Sequence, residues 1–127
     1  MSIVLHLLPS ATWERLAEDE PVTAASLDTE GFIHCTDDPS VMLQVANAVY
    51  ASQPGEFVVL HVEVDRLTSR CVWEEPSHPA GHTGPSFAPS FPHVYGPIDR
   101  DSVLGVQAVR RDGSGRFTGY GELGPSI

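Results

Sequence analysis

Residues 56 to 64 read EFVVLHVEV, and no other stretch of this chain restricts its fold as strongly. Alternation puts Val58, Leu60, Val62 and Val64 on one face of an extended segment and Phe57, Val59, His61 and Glu63 on the other. A strand with a wholly apolar face has to bury it against another layer. His61 and Glu63 lie on the less apolar side and are read as partly solvated. Further extended segments are expected at SIVLHLL (residues 2 to 8, ended by Pro9), GFIHCT (31 to 36) and RCVWE (70 to 74). FPHVYGPI (91 to 98) follows, then SVLGVQAVRRD (102 to 112), which runs into the turn signal Asp112 and Gly113 with RFTGY as its partner. Two helices are expected early. Ser10 is a good N-cap, with Trp13, Leu16 and Ala17 at helical spacing until Pro21. After a loose stretch through Thr29, Asp38 as cap and Pro39 at the first helical position open the better helix. Its apolar stripe is Met42, Val45, Ala46, Val49 and Tyr50, and Pro54 and Gly55 close it. The pattern predicts one α+β domain over residues 1 to 127, with a mostly antiparallel sheet core and two early helices.

A chain of 127 residues buries roughly 65 to 70% of the surface its unfolded form exposes, so it needs no disulfide or metal to fold. Its formal net charge is −10, and all seven basic residues are arginine. The absence of lysine excludes Schiff-base chemistry and any phosphate loop that depends on lysine. The acid excess argues against nonspecific nucleic-acid binding and against an anionic membrane as partner. The first residues carry no basic leader, and their short apolar run is interrupted by His6, which reads as neither signal peptide nor membrane span. A cytoplasmic location is the expectation, with Cys35 and Cys71 as free buried thiols.

Two histidines raise the question of chemistry. His6 shares its side of the first strand with Val4 and Leu8, and His34 shares its side with Phe32 and Thr36. Side by side, the two strands bring both imidazoles to one cleft, as acceptor, donor or proton shuttle near neutral pH. The alternative is two half-buried rings bonded to backbone or water. In FPHVYGPI, Tyr95 and Phe91 offer stacking surface for a planar ligand and His93 a polar contact; the same segment also suits an aromatic anchor pinning the preceding Pro/Gly/Ser-rich loop, residues 75 to 90, to the core. Trp13 and Trp73 are read as core residues. Cys35 faces away from its neighbour His34, so a Cys/His nucleophile needs a base from elsewhere, such as His93 or His61. His78 and His82 are four apart but sit in a Pro/Gly loop, where that spacing does not converge their rings with His93 on a metal, and no metal is expected. Asp37/Asp38 and Glu74/Glu75 read as solvated ends and caps.

Taken in order, VLHLLPSATWERL, GFIHCT, FVVLHVEVDRL followed by VWE, and FPHVYGPI resemble the domain-of-unknown-function family 952, over about residues 3 to 108. That family is similar in fold to the ADP-ribosyltransferase superfamily, including the RNA 2′-phosphotransferases. The resemblance implies an ADP-ribosyltransferase-like fold in which His6 falls on the superfamily's first histidine, His34 on its second and Thr36 on or beside its hydroxyl position. It also implies a cleft for NAD or a related nucleotide, NAD being a substrate, and suggests Glu74 as the glutamate of the mono-ADP-ribosylating enzymes. Leu7 and Leu8 stand where those transferases carry a glycine and a hydroxyl residue, and Ile33, not an arginine, precedes His34. Asp37 and Asp38 would repel an anion, which favours a small, neutral or weakly charged ligand unless Arg70 or Arg100 folds into the cleft.

The expected function is binding of an NAD-like nucleotide or other small molecule, with ADP-ribosyl or phospho-transfer as its enzymatic form. His34 would polarise or deprotonate, His6 would orient, and Thr36, His93 and Tyr95 would hold the ligand. The alternative is a noncatalytic ligand-binding or interaction module. A monomer or a homodimer fits either reading, self-association running through Tyr95 or Phe91.

Overall fold

The computed structural model describes residues 2–75 and 90–125. Among the described residues, seven strands form two antiparallel sheets. In the first, β1 (Ile3–Pro9), β3 (Phe57–Glu63), β6 (Val103–Arg111) and β7 (Phe117–Gly124) lie side by side in the order β1-β3-β6-β7. In the second, β2 (Ile33–His34), β5 (Phe91–Tyr95) and β4 (Arg70–Glu74) lie in the order β2-β5-β4. The helices are α1 (Ser10–Arg15), α2 (Ala25–Thr29) and α3 (Pro39–Val49), and two short 3₁₀ turns cover Val64–Arg66 and Arg100–Ser102.

The strand over residues 57 to 63 explains the layering. Its Leu60 and Val62 join Val4, Leu8 and Val103 in a core shared with Ile33, Cys35 and Val94 of the smaller sheet. Its Phe57 and Val59 face the other way, into a second core with Leu5, Leu7, Val109 and Phe117, closed by Met42 and Ala46 of α3. The four-stranded sheet is therefore the middle layer, between α3 and the three-stranded sheet. Both faces of β1 are buried for the same reason. The outward face of the three-stranded sheet is left to be something other than core.

Local chemistry sets the ends of the elements. The Asp38 carboxylate accepts the N–H groups of Ser40 and Val41, and Pro39 occupies the first turn, as the N-terminal pattern of α3 predicts. At the other end, Arg111 reaches back from β6 and donates to the carbonyls of Gln53, Gly55 and Ala51, and to Gly115 in the β6–β7 turn, while its guanidinium lies 4.2 Å from the Phe117 ring centroid. Gly96 ends β5 with φ at 151°, and a side chain there would run into Ser69, whose hydroxyl donates to Pro97 O.

Four details differ from the sequence reading. Ser10 is not the cap of α1 but its first residue; extended Pro9 precedes it, and the helix lasts only six residues. The stretch expected to be loose contains α2, too short to show a periodic stripe and without a buried residue. The strand expected over GFIHCT pairs with β5 only at Ile33 and His34, after which Thr36 forms an isolated bridge with Leu5 of β1. Trp73 is exposed rather than core, its indole N–H donating to Asp37. No described helix is long and apolar enough to cross a membrane.

Candidate functional site

Strand parity places Ile33, Cys35 and Val94 toward the core, so their neighbours Phe32, His34, His93 and Tyr95 face outward. His34 pairs with His93 across β2 and β5, and Val72 of β4 pairs with His93 on its other side. The same alternation brings Arg70 and Glu74 of β4 to this face. Four rings gather here. Phe32 stacks on His93 with centroids 4.0 Å apart and meets His34 edge-on at 4.9 Å, while Tyr95 lies 5.5 Å from Phe32. The imidazoles of His34 and His93 are 5.6 Å apart and nearly perpendicular.

Carboxylates fix both imidazoles. Nε2 of His34 donates to Glu30 at 2.9 Å, from the C-terminal end of α2, and this ring is about one-third exposed. Nδ1 of His93 donates to Glu74 Oε1 at 2.9 Å, and the Tyr95 hydroxyl donates to the same oxygen. These bonds, Tyr95's first and His93's second, hold the Glu74 carboxyl below its ordinary range, helped by the charge of nearby Arg70. The bond to Glu74 in turn raises the Tyr95 hydroxyl, keeping it protonated. The Arg70 guanidinium lies 5.2 Å from the Tyr95 ring centroid. His93 is almost fully buried, and its Nε2 has no hydrogen-bond partner among the described residues.

His6 is joined to this cluster from beneath. Its ring is buried, and Nδ1 donates to the main-chain carbonyl of His34 at 3.0 Å. The carbonyl can only accept, so the proton is on Nδ1. Burial drives its pKa below the ordinary 6.5, outweighing the opposing effect of the carbonyl bond. The first two strands do lie together at the Leu5–Thr36 bridge, but His6 meets His34 through the main chain, and the ring partners of His34 are Phe32 and His93. Thr36 is buried beside that bridge, and its hydroxyl accepts the N–H of Asp38 in the turn leading to α3.

A family model described as "Protein of unknown function (DUF952)" matches residues 7–106. The chain belongs to that family. The DUF952 match takes in every ring and carboxylate of the outward face and begins one residue after His6. Two solved structures share the fold. Protein CC0527 from Caulobacter crescentus is 23% identical over 92% of this chain and 94% of its own, with a TM-score of 0.67. A double mutant of the same protein is 22% identical, with the same coverage and TM-score. No curated protein matches the chain.

Of the groups on this face, Phe32 is absent from the ligand-holding residues read from the sequence, while Glu74 enters only through the resemblance and Arg70 only as a cation that could fold into the cleft. Parity with His34 already placed Phe32 on the right face. Arg70 and Glu74 depend on the β4–β5 register, which no local pattern reports. The other candidates stand apart. Cys35 is buried, and desolvation raises its thiol far above the ordinary range, so no thiolate forms for nucleophilic chemistry. Cys71 is also free, and burial pushes its thiol up to about 11. Arg100 does not join the aromatic face; it stacks on Trp13 at 4.1 Å and donates to the carbonyls of Ala17 and Glu20. His61 bonds Gln107 within the larger sheet. No group of three or more metal-binding side chains is arranged for an ion among the described residues; His78 and His82 lie outside them.

Proposed function

We propose that the outward face of the three-stranded sheet is a small-molecule site of the ADP-ribosyltransferase-like kind, taking an NAD-like nucleotide, with transfer chemistry on that ligand. The observation that carries this reading is the Glu74 carboxylate gathering His93 and Tyr95 beside the His34 ring, with Arg70 over the tyrosine. Aromatic edges and faces suit a planar base or nicotinamide-type ring. Arg70 supplies a local cation for a phosphate in a chain whose net charge is otherwise strongly negative. The resemblance suggests Glu74 as a transferase glutamate, and its lowered pKa keeps it ionised to accept hydrogen bonds from hydroxyls or face a developing positive charge. His34, with Nδ1 left as acceptor by its bond to Glu30, takes a proton or hydrogen bond from the ligand; His6 orients His34 through its carbonyl.

A noncatalytic binding module is favoured by one specific observation: His34 and His93 each already hold a carboxylate through one ring nitrogen, an arrangement that binding alone accounts for without a reaction to perform. Thermal unfolding with NAD, ADP-ribose and nicotinamide tests the shared claim. A ligand at 100 times its dissociation constant adds about 2.7 kcal/mol of stability, and His34→Ala and Glu74→Gln should diminish it. Absence of any stabilisation by all three sinks the nucleotide reading. If ligand binds, NAD turnover separates the two forms: an enzyme loses a factor on the order of 10² to 10⁴ in rate on His34→Ala, while a binding module turns over nothing in either protein.

A further inference from the structure

We propose that Nε2 of His93 is the acceptor for an O–H or N–H group of the ligand, and that Glu74 is the positioning residue that keeps it so. This rests on the site reading above and adds what the ligand must present to it.

Three observations meet at one atom. The Nδ1–H of His93 is committed to a carboxylate, so in the neutral ring the lone pair is on Nε2. The Tyr95 hydroxyl donates to the same Glu74 oxygen, fixing the carboxylate from a second direction and leaving the imidazole one orientation. His93 is only 2% exposed, yet Nε2 has no partner among the described residues. A buried acceptor left unpaired is uncommon in native proteins, and a ligand or water that supplies the missing donor is a usual explanation. The two nitrogens of an imidazole point apart, so with Nδ1 on Glu74 the lone pair of Nε2 faces away from that carboxylate. Glu30 already holds Nε2 of the neighbouring His34, and Phe32 covers the face of the His93 ring. Among the described residues of the cluster, Nε2 of His93 is thus the buried lone pair without a donor, stacked under Phe32.

A hydroxyl or carboxamide N–H fits that position; a carbonyl, ester or carboxylate oxygen does not. For a ligand hydroxyl the same arrangement supports proton transfer. The O–H bond breaks, an N–H bond forms at Nε2, the electron pair stays on the ligand oxygen, and the imidazolium faces the Glu74 carboxylate across the Nδ1–H bond.

Nitrogen-15 NMR of the full chain labelled at histidine, titrated with NAD, reads this atom directly. Support is the Nδ1–H tautomer of His93 in the free protein and a shift of Nε2 on adding NAD. Nicotinamide, which carries a carboxamide N–H, should then bind about ten times more tightly than methyl nicotinate, which has the same ring and no donor. Glu74→Leu should lose the single tautomer, and Glu74→Gln, which keeps an acceptor, should retain it; a merely structural glutamate would leave both unchanged. If NAD perturbs Phe32, His34 and Tyr95 while Nε2 of His93 stays unmoved, or if the two nicotinyl probes bind alike, the acceptor role is overturned and the site reading stands, with Nε2 serving bound water. If NAD perturbs none of these residues, the site reading fails and this inference falls with it.

Discussion

Lowering the pH from about 7.5 to about 5.5 should move the stability of the wild-type protein relative to its His6→Asn variant by up to about 1.4 kcal/mol, against the wild type. The cause is the ring beneath β2. His6 is fully enclosed, and burial, more than its neighbour His34, drives its pKa below the ordinary 6.5. In the unfolded chain the same imidazole titrates at its ordinary value. Above 6.5 it is neutral in both states and contributes no pH dependence. As the pH falls below 6.5 the unfolded state takes up a proton that the folded state refuses, so stability falls by up to about 1.4 kcal/mol per pH unit until the folded pKa is reached. One unit below 6.5 the loss is therefore at most about 1.4 kcal/mol, against the roughly 5–15 kcal/mol that holds a domain folded. Asparagine at this position keeps a donor where Nδ1 now reaches the His34 carbonyl but cannot titrate. Urea unfolding of both proteins at the two pH values gives the double difference, in which the other histidines cancel because both proteins contain them. A gap constant to within about 0.3 kcal/mol would refute the assignment of His6 as a neutral buried ring.

Arg111→Ala should cost about 2–4 kcal/mol in the same urea assay, because it removes a charged donor shared among the carbonyls that end α3 and the β6–β7 turn, while Arg110→Ala next to it, exposed on the strand, stays within about 0.5 kcal/mol; equal effects would remove that role. Gly96→Ala should lower the melting temperature and disturb the Tyr95 and His93 resonances, since a side chain there meets Ser69, and an unperturbed spectrum contradicts the close approach. Neither thiol should react quickly with a disulfide reagent at neutral pH until the protein unfolds, Cys35 being buried and the thiol of Cys71 sitting near about 11; a fast-reacting thiol in the native state refutes this.

What the residues announce by themselves is local or periodic. The Asp38–Pro39 start of α3 is local chemistry and is found where the pattern puts it. The strand over 57 to 63 is legible because β-branched residues and alternation run through it, and that over 70 to 74 because Val72 and Trp73 favour an extended backbone. Alternation also sorted Phe32, His34 and Thr36 onto one side of their segment, but it did not say which strand would lie beside them. The register of His34 with His93 joins segments about sixty residues apart, and it is set by Ile33, Cys35 and Val94 reaching the same core, a condition on the assembled protein alone. Glu74 shows the consequence most clearly. As one of two acidic residues at a strand end it reads as solvated, and only the pairing of β4 with β5 sets its carboxylate against His93 and Tyr95.

The same distinction changes the expected charge of the ligand. By residue count, a chain of net charge −10 with Asp37 and Asp38 just after His34 is hostile to an anion. Yet Asp38 is occupied by the N–H groups of Ser40 and Val41, and Asp37 accepts the indole N–H of Trp73. Arg70, from a strand that carries only one other charged residue, lies over Tyr95 at the outward face. A field summed over the whole surface falls off within about 8–10 Å in physiological salt, so the phosphate of a nucleotide would respond first to this guanidinium and to the Glu74 carboxylate beside it. Arg70→Gln should therefore weaken binding of ADP-ribose more than that of nicotinamide, and the difference should shrink as salt is added. Equal losses for both ligands in a calorimetric titration would mean that Arg70 packs against Tyr95 without meeting a phosphate.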